Sequence, residues 1–128
     1  MSIKFGCATA DITPNYPVYL CGYGSRNCLS KGVEDKLEVG AMIFSGNRKK
    51  TLHLTFDNTG ITAADCKRII AEVSKATGIP AQSIVISCSH THFAPGVDNY
   101  YVTFTKGELD IGIYPGDNKY FKILVKGR

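Results

Sequence analysis

The 128-residue sequence has no tryptophan, only two methionines and only three histidines. Its five cysteines, Cys7, Cys21, Cys28, Cys66 and Cys88, are an odd number, and no two stand at C-x-x-C spacing. That excludes a zinc ribbon and a closed disulfide framework, both of which need paired thiols. Cys7, Cys66 and Cys88 fall in apolar patterns and read as small buried hydrophobes in a reducing compartment. Cys21 and Cys28 flank a loop and are spaced so that they could pair. No run approaches the roughly 18 apolar residues of a membrane span, and the start, Met-Ser-Ile-Lys-Phe-Gly, has no apolar leader core. As written, the chain reads as cytoplasmic, and as secreted if a leader was removed. Charge is mild, with 15 Lys and Arg against 11 Asp and Glu. Basic residues are scattered except for Arg48-Lys49-Lys50, which lies between two strand-like runs and reads as a solvated turn, so no nucleic-acid partner is expected. Internal repeats and low-complexity arms are also lacking.

What remains is an ordinary globular composition, 44% hydrophobic and 20% charged, with room for one domain over residues 1–128. Ile3 to Ile12 reads as a first strand, stopped by Pro14 and Pro17. Val18 to Cys21 reads as a short second strand and Leu37 to Phe44 as a third. Between them, Gly22-Tyr23-Gly24-Ser25 is either a tight turn or a loop whose glycines let backbone approach a ligand closely. Thr51 to Phe56 alternates, with Leu52, Leu54 and Phe56 on one face and Thr51, His53, Thr55 and Asp57 on the other. His53, mid-strand, reads as a structural histidine. Thr62 to Thr77 is the best-signalled helix: Thr62 is its N-cap with Asp65 three residues on, Cys66, Ile69, Ile70 and Val73 form its apolar stripe, and Gly78 and Pro80 end it.

Ser83 to Cys88 follows as a strand too apolar for a solvent-facing edge, and so is expected to be central. Strand, helix and strand make a β-α-β unit with a right-handed crossover and parallel strands. The predicted fold class is therefore α/β, a mixed β-sheet containing that unit with flanking helices. Tyr100 to Thr105 and Leu109 to Tyr114 read as two short strands, fitting a hairpin or the wall of a pocket. Tyr120, Phe121, Leu124 and Val125 begin an amphipathic helix that stops at Arg128. An apolar face cut there points to a truncated chain or to a covering partner, self-association included.

The stretch Ile84 to Gly96 carries the chemistry. An apolar strand runs directly into Ser89-His90-Thr91-His92, and two imidazoles beside one threonine are poorly explained by packing, because each ring nitrogen needs a partner. Parallel strands bring their carboxyl ends to one rim, so Asp57 and the pair His90 and His92 emerge together, where open α/β sheets place ligands. Asp57 could orient an imidazole by accepting from its second nitrogen. A catalytic zinc needs three protein ligands and an open position, so the pair cannot hold one alone. Three arrangements stay open: one or both histidines bind metal with distant carboxylates or a tyrosine, one binds metal while the other serves as acid, base or oxyanion donor, or the pair acts without metal.

Ala10-Asp11-Ile12-Thr13-Pro14, Gly22-Tyr23-Gly24, Gly32-Val33 with a strand ending Ala41-Met42-Ile43-Phe44, Asp57 with Gly60, and Ser89-His90-Thr91-His92 with Pro95-Gly96 follow one another in order. Together, over roughly Phe5 to Gly96, they resemble the N-terminal part of the neutral/alkaline (non-lysosomal) ceramidase family. The resemblance implies a zinc amidase that hydrolyses the N-acyl bond of ceramide, a lipid acyl-amide substrate, and an incomplete catalytic domain. It implies His90 as a zinc ligand, His92 as the neighbouring catalytic histidine, Gly22 as part of the substrate site and Asp57 as a positioning residue near the metal. Phe93-Ala94-Pro95-Gly96 stands where the family usually has Ser-Gly-Pro-Gly. The family's other zinc ligands, a histidine, a glutamate and a tyrosine, lie far downstream in a longer chain. Three functions follow: the N-terminal portion of a ceramidase-like amidase, a non-catalytic or partner-dependent fragment of that fold, and a related hydrolase of another amide or ester.

Overall fold

The structure, a computed structural model, describes residues 2–97 and the backbone of two further strands at 101–105 and 108–112. Four strands, β1 (Lys4–Asp11), β2 (Glu38–Gly46), β3 (Lys49–Phe56) and β4 (Ile84–Cys88), form one mixed sheet in the order β1-β2-β3-β4. The first three pair antiparallel, and β3 and β4 run parallel with Leu52 opposite Ile84 and Phe56 opposite Cys88. Helix α1 (Ala63–Thr77) lies in the connection between those two parallel strands. The β2–β3 hairpin closes over Asn47 and Arg48, whose φ values of 49° and 62° make the doubly left-handed turn that suits strand twist. Of the basic triplet only Arg48 is in the turn, and Lys49 and Lys50 open β3.

Strand alternation decides where the core sits. Leu52, Leu54 and Phe56 of β3 are buried, as is Ile84 of β4, and they pack with Ile69 of α1, Ile12, Leu37, Ile79, Ala94 and Val97. Each such Leu, Ile, Val or Phe side chain removed from water contributes about 2 kcal/mol. Helix α1 forms where its caps fix it: the Thr62 hydroxyl accepts from Asp65 N–H at 3.2 Å, and Gly78 terminates the helix at φ 69°. On the opposite face His53 Nε2 lies 2.9 Å from Ser87 Oγ across the parallel pair, which satisfies it as a structural residue. The Asp11-Ile12-Thr13 segment is a latch: Thr13 N–H donates to Asp11 Oδ1 at 2.8 Å, Leu37 N–H to Thr13 Oγ1 at 2.8 Å, and Ile12 N–H to Leu37 O at 2.9 Å.

Three expectations are corrected. Strand β4 lies at the edge of the four-stranded sheet, not its centre, and Val85 is 51% exposed. Its apolar letters Ile84, Ile86 and Cys88 face the core that α1 helps to cover, a matter of which face is buried and not of position in the strand order. Val18 to Cys21 is not a strand, since Tyr19 and Leu20 make only isolated bridges to Leu29 and Pro95. Pro17 before it and the turn at Gly22 after it leave too little extended chain for a ladder. Cys7 is exposed, because it points from β1 to the same open sheet face as Phe5 and Phe44. All five cysteines are free, Cys21 and Cys28 included.

Strands β5 (Tyr101–Thr105) and β6 (Glu108–Gly112) pair antiparallel, as expected of a hairpin. The helix expected from Asn118, with the self-association read from it, lies outside the described residues. Among the described residues no helix is long and apolar enough to cross a membrane.

Candidate functional site

The parallel register ends with Phe56 opposite Cys88, so the two chains leave the sheet at one rim. Phe56 O accepts from both Asn58 N–H and Ser89 N–H at 2.9 Å, which turns the two segments toward each other. Asn58 is fully buried between them. Its Nδ2 donates to Pro95 O at 3.0 Å and its Oδ1 accepts from Gly60 N–H at 3.0 Å. Asn58 O in turn accepts from His90 N–H at 3.0 Å, and Thr59 Oγ1 donates to Thr91 O at 2.8 Å.

This network sets His90. Its backbone takes φ 62°, a left-handed conformation that a residue with a bulky side chain holds only when its surroundings fix it. Its ring Nδ1–H donates to Thr59 O at 2.6 Å. A carbonyl can only accept, so Nδ1 carries the proton and the neutral ring keeps its lone pair at Nε2. The His92 ring lies 5.2 Å from that of His90, centroid to centroid, at 64°.

The other side of His92 is built by the loop after Val18. Cys21 N–H donates to Ala94 O at 2.8 Å, bringing the loop alongside the histidine segment. Gly22, at φ 106°, abuts the His92 ring so closely that a Cβ there would stand 2.3 Å from its Cγ. Of the two loop glycines it is Gly22 that takes positive φ. Tyr23 meets the His92 ring edge-on at 4.7 Å, and Arg26 Nη1 donates to His92 O at 2.7 Å.

His90, His92 and Gly22 are thus brought together. Asp57 reaches the same rim in a different way: its Oδ2 accepts from Glu38 N–H and its N–H donates to Glu38 O, both at 3.0 Å. The carboxylate closes the β2–β3 ladder, and the ring-orienting acceptor for His90 is the Thr59 carbonyl. Asp57 also lines a groove of about 810 Å³ with Val18, Leu20, Val33, Thr91 and Phe93. The groove shares the histidine loop, but neither imidazole is among its lining residues.

Burial raises the Cys88 thiol pKa, with a smaller push from Cys66, while burial and then Asp65 raise that of Cys66. Both are therefore kept as poorly nucleophilic thiols. Among the described residues no three His, Cys, Asp or Glu side chains gather as a metal site would require.

Asn58, Thr59 and Arg26 were not singled out in the sequence. An Asn two residues past the end of a strand, with Gly two positions further on, is an Asx-turn signal that points to Asn58. Nothing local marks Arg26, whose partner His92 lies 66 positions away.

The chain matches no protein-family model and no curated protein sequence. Its structure is similar to that of the neutral ceramidase from Pseudomonas aeruginosa, with a TM-score of 0.73 and 20% identity over 98% of this chain and 20% of that one. It is similar also to a ceramidase complexed with C2, with a TM-score of 0.75 and 20% identity over 98% of this chain and 19% of that one. The chain thus has the fold of a region of neutral ceramidase and spans about a fifth of the length of the ceramidases it matches.

Proposed function

We propose that this chain is the N-terminal part of the catalytic domain of a zinc-dependent amidase that hydrolyses the N-acyl bond of ceramide-like lipids, with a right-handed β3-α1-β4 crossover. In this reading His90 is a zinc ligand, His92 the catalytic histidine, Gly22 part of the substrate wall, and Asp57 a residue that holds the rim near the metal. The observation that carries it is His90 itself: strained backbone, Nδ1–H on the Thr59 carbonyl, and an exposed ring with its lone pair at Nε2. That donor fits zinc, whose ligating imidazoles characteristically give their second N–H to a carbonyl or carboxylate. The remaining ligands are expected from beyond the described residues. The ceramidase fold likeness supports the substrate class.

Zinc, when bound, would supply a water acidified to a pKa of about 7 and polarise a carbonyl. The chain's own residues supply position and proton transfer. His92, held between Gly22, Tyr23 and the His90 ring, can take a proton from the attacking water and return it to the leaving nitrogen as the C–N bond breaks. The water oxygen stays on the acyl carbon, giving a carboxylic acid and an amine. The deciding experiment is zinc analysis and ceramide hydrolysis by the full-length gene product and its His90→Ala variant. Bound zinc and turnover, both lost in the variant, are expected. A full-length protein that binds no metal and keeps its activity after His90→Ala would sink the reading.

The scarcity of ligands among the described residues favours a second reading, a partner-dependent or non-catalytic fragment of the same fold. Turnover of an acyl-amide panel by the 128-residue chain discriminates, because robust zinc-dependent turnover rules that reading out.

A further inference from the structure

We infer that Arg26 is the positioning residue of His92, an inference that rests on the reading of His92 as the catalytic histidine. Among the described residues, three contacts of its side chain converge on the His92 segment. Nη1 donates to His92 O at 2.7 Å, a short charge-assisted bond. The guanidinium carbon lies 4.9 Å from the centroid of Tyr23 and 5.3 Å from that of Phe93. Tyr23 is the residue whose ring packs T-shaped with the His92 imidazole, centroids 4.7 Å apart, and Phe93 is the residue directly after His92. One side chain therefore holds the peptide plane of His92, the aromatic ring on its imidazole and the next residue along the chain.

Local geometry makes this grip available. Arg26 N–H donates to Tyr23 O at 3.0 Å, a turn that folds residue 26 back over residue 23. Both aromatic rings are largely open, Tyr23 at 50% and Phe93 at 61% exposure, so their own burial does little to fix them. The planar guanidinium is what places them, because it can lie against ring faces while donating in its own plane. A lysine ammonium keeps the charge but has no such fork. Gly22 limits the His92 ring from one side by close approach, and Arg26 keeps backbone and Tyr23 in register so that this approach persists.

The test is ring-to-ring NMR contact in this chain, isotope-labelled, as wild type, Arg26→Met and Arg26→Lys. Nuclear Overhauser contacts from the His92 ring to Tyr23 and to the Gly22 Hα are expected in the wild type and lost in both variants. The His53 ring signals, fixed by Ser87 on the far face, should stay unchanged and report an intact sheet. Should Arg26→Met fail to fold, Arg26→Lys decides alone. Retention of the His92 contacts in a folded variant overturns the inference. In the full-length protein, Arg26→Lys should lower kcat for ceramide hydrolysis about tenfold or more with KM within about threefold, the pattern of a displaced reacting group. Unchanged kcat overturns it equally. Absence of hydrolysis in the wild type counts against the amidase reading, and the NMR contacts still decide whether Arg26 positions His92.

Discussion

The two walls of the His90–His92 site are held by different physics. One wall, residues 56–60 against 89–95, is joined through a fully buried asparagine and a run of backbone carbonyls, each with its donor. The other, residues 20–26, meets the histidine segment through the Cys21–Ala94 backbone bond and the Leu20–Pro95 bridge, through Arg26, and through the contacts of Gly22 and Tyr23 with an imidazole. Cutting a buried polar network leaves orphaned groups and costs stability, whereas disturbing a part-buried contact that water can reach moves a ring and leaves the fold standing. The first wall should therefore answer mutation in its unfolding free energy, and the second in the placement of His92.

Asn58→Ala is the strongest way to break this contrast. It strips partners from Pro95 O and Gly60 N and should cost about 3 kcal/mol of unfolding free energy in a denaturant titration. A loss under about 1 kcal/mol would mean the first wall is not set by this network. Gly22→Ala comes next. The backbone strain at φ 106° should cost about 1–2 kcal/mol, and the added Cβ must displace the root of the His92 side chain, not its flexible end. Loss of the Tyr23–His92 ring contact with a cooperative unfolding transition retained is expected, and an undisturbed His92 would equate the two walls.

The smallest effect belongs to Asp11, in the latch from which the second wall hangs. Hydrogen bonds from the Thr13 hydroxyl and backbone N–H, with Lys36 at 3.2 Å, hold its carboxyl down to about 2. A pKa below the unfolded value adds stability that is full above about pH 4 and is lost as pH falls toward 2. Asp11→Asn should flatten the pH dependence of unfolding in that window and lower the neutral-pH midpoint slightly, the two proteins converging as pH falls toward 2, because the stability the carboxylate adds above about pH 4 is what the variant lacks. An unchanged acid slope would remove Asp11 from the latch.

Local regularities of the chain were enough to read β3, helix α1, the end of β4 and the meeting of Asp57 with the histidines at one rim. Period-2 and period-3.6 patterns, a capping threonine and a terminating glycine are all written within a few residues of where they act. Strand order was not written there: the apolar run of β4 specifies a buried face and is silent about whether another strand lies alongside. Cys7 misled for the same reason, since an apolar pattern in β1 does not say which face is covered.

The site divides along the same line. The sequence by itself determined that two imidazoles follow an apolar strand, and it left Gly22 open between a tight turn and a loop permitting close approach. Only the tertiary structure decided that Thr59, not Asp57, orients His90, that Asn58 joins the two rim segments, and that Arg26 grips His92. Those partners stand 31, 37 and 66 positions apart, and contacts at such separations are fixed by how the sheet brings its ends together and leave no periodic trace along the chain.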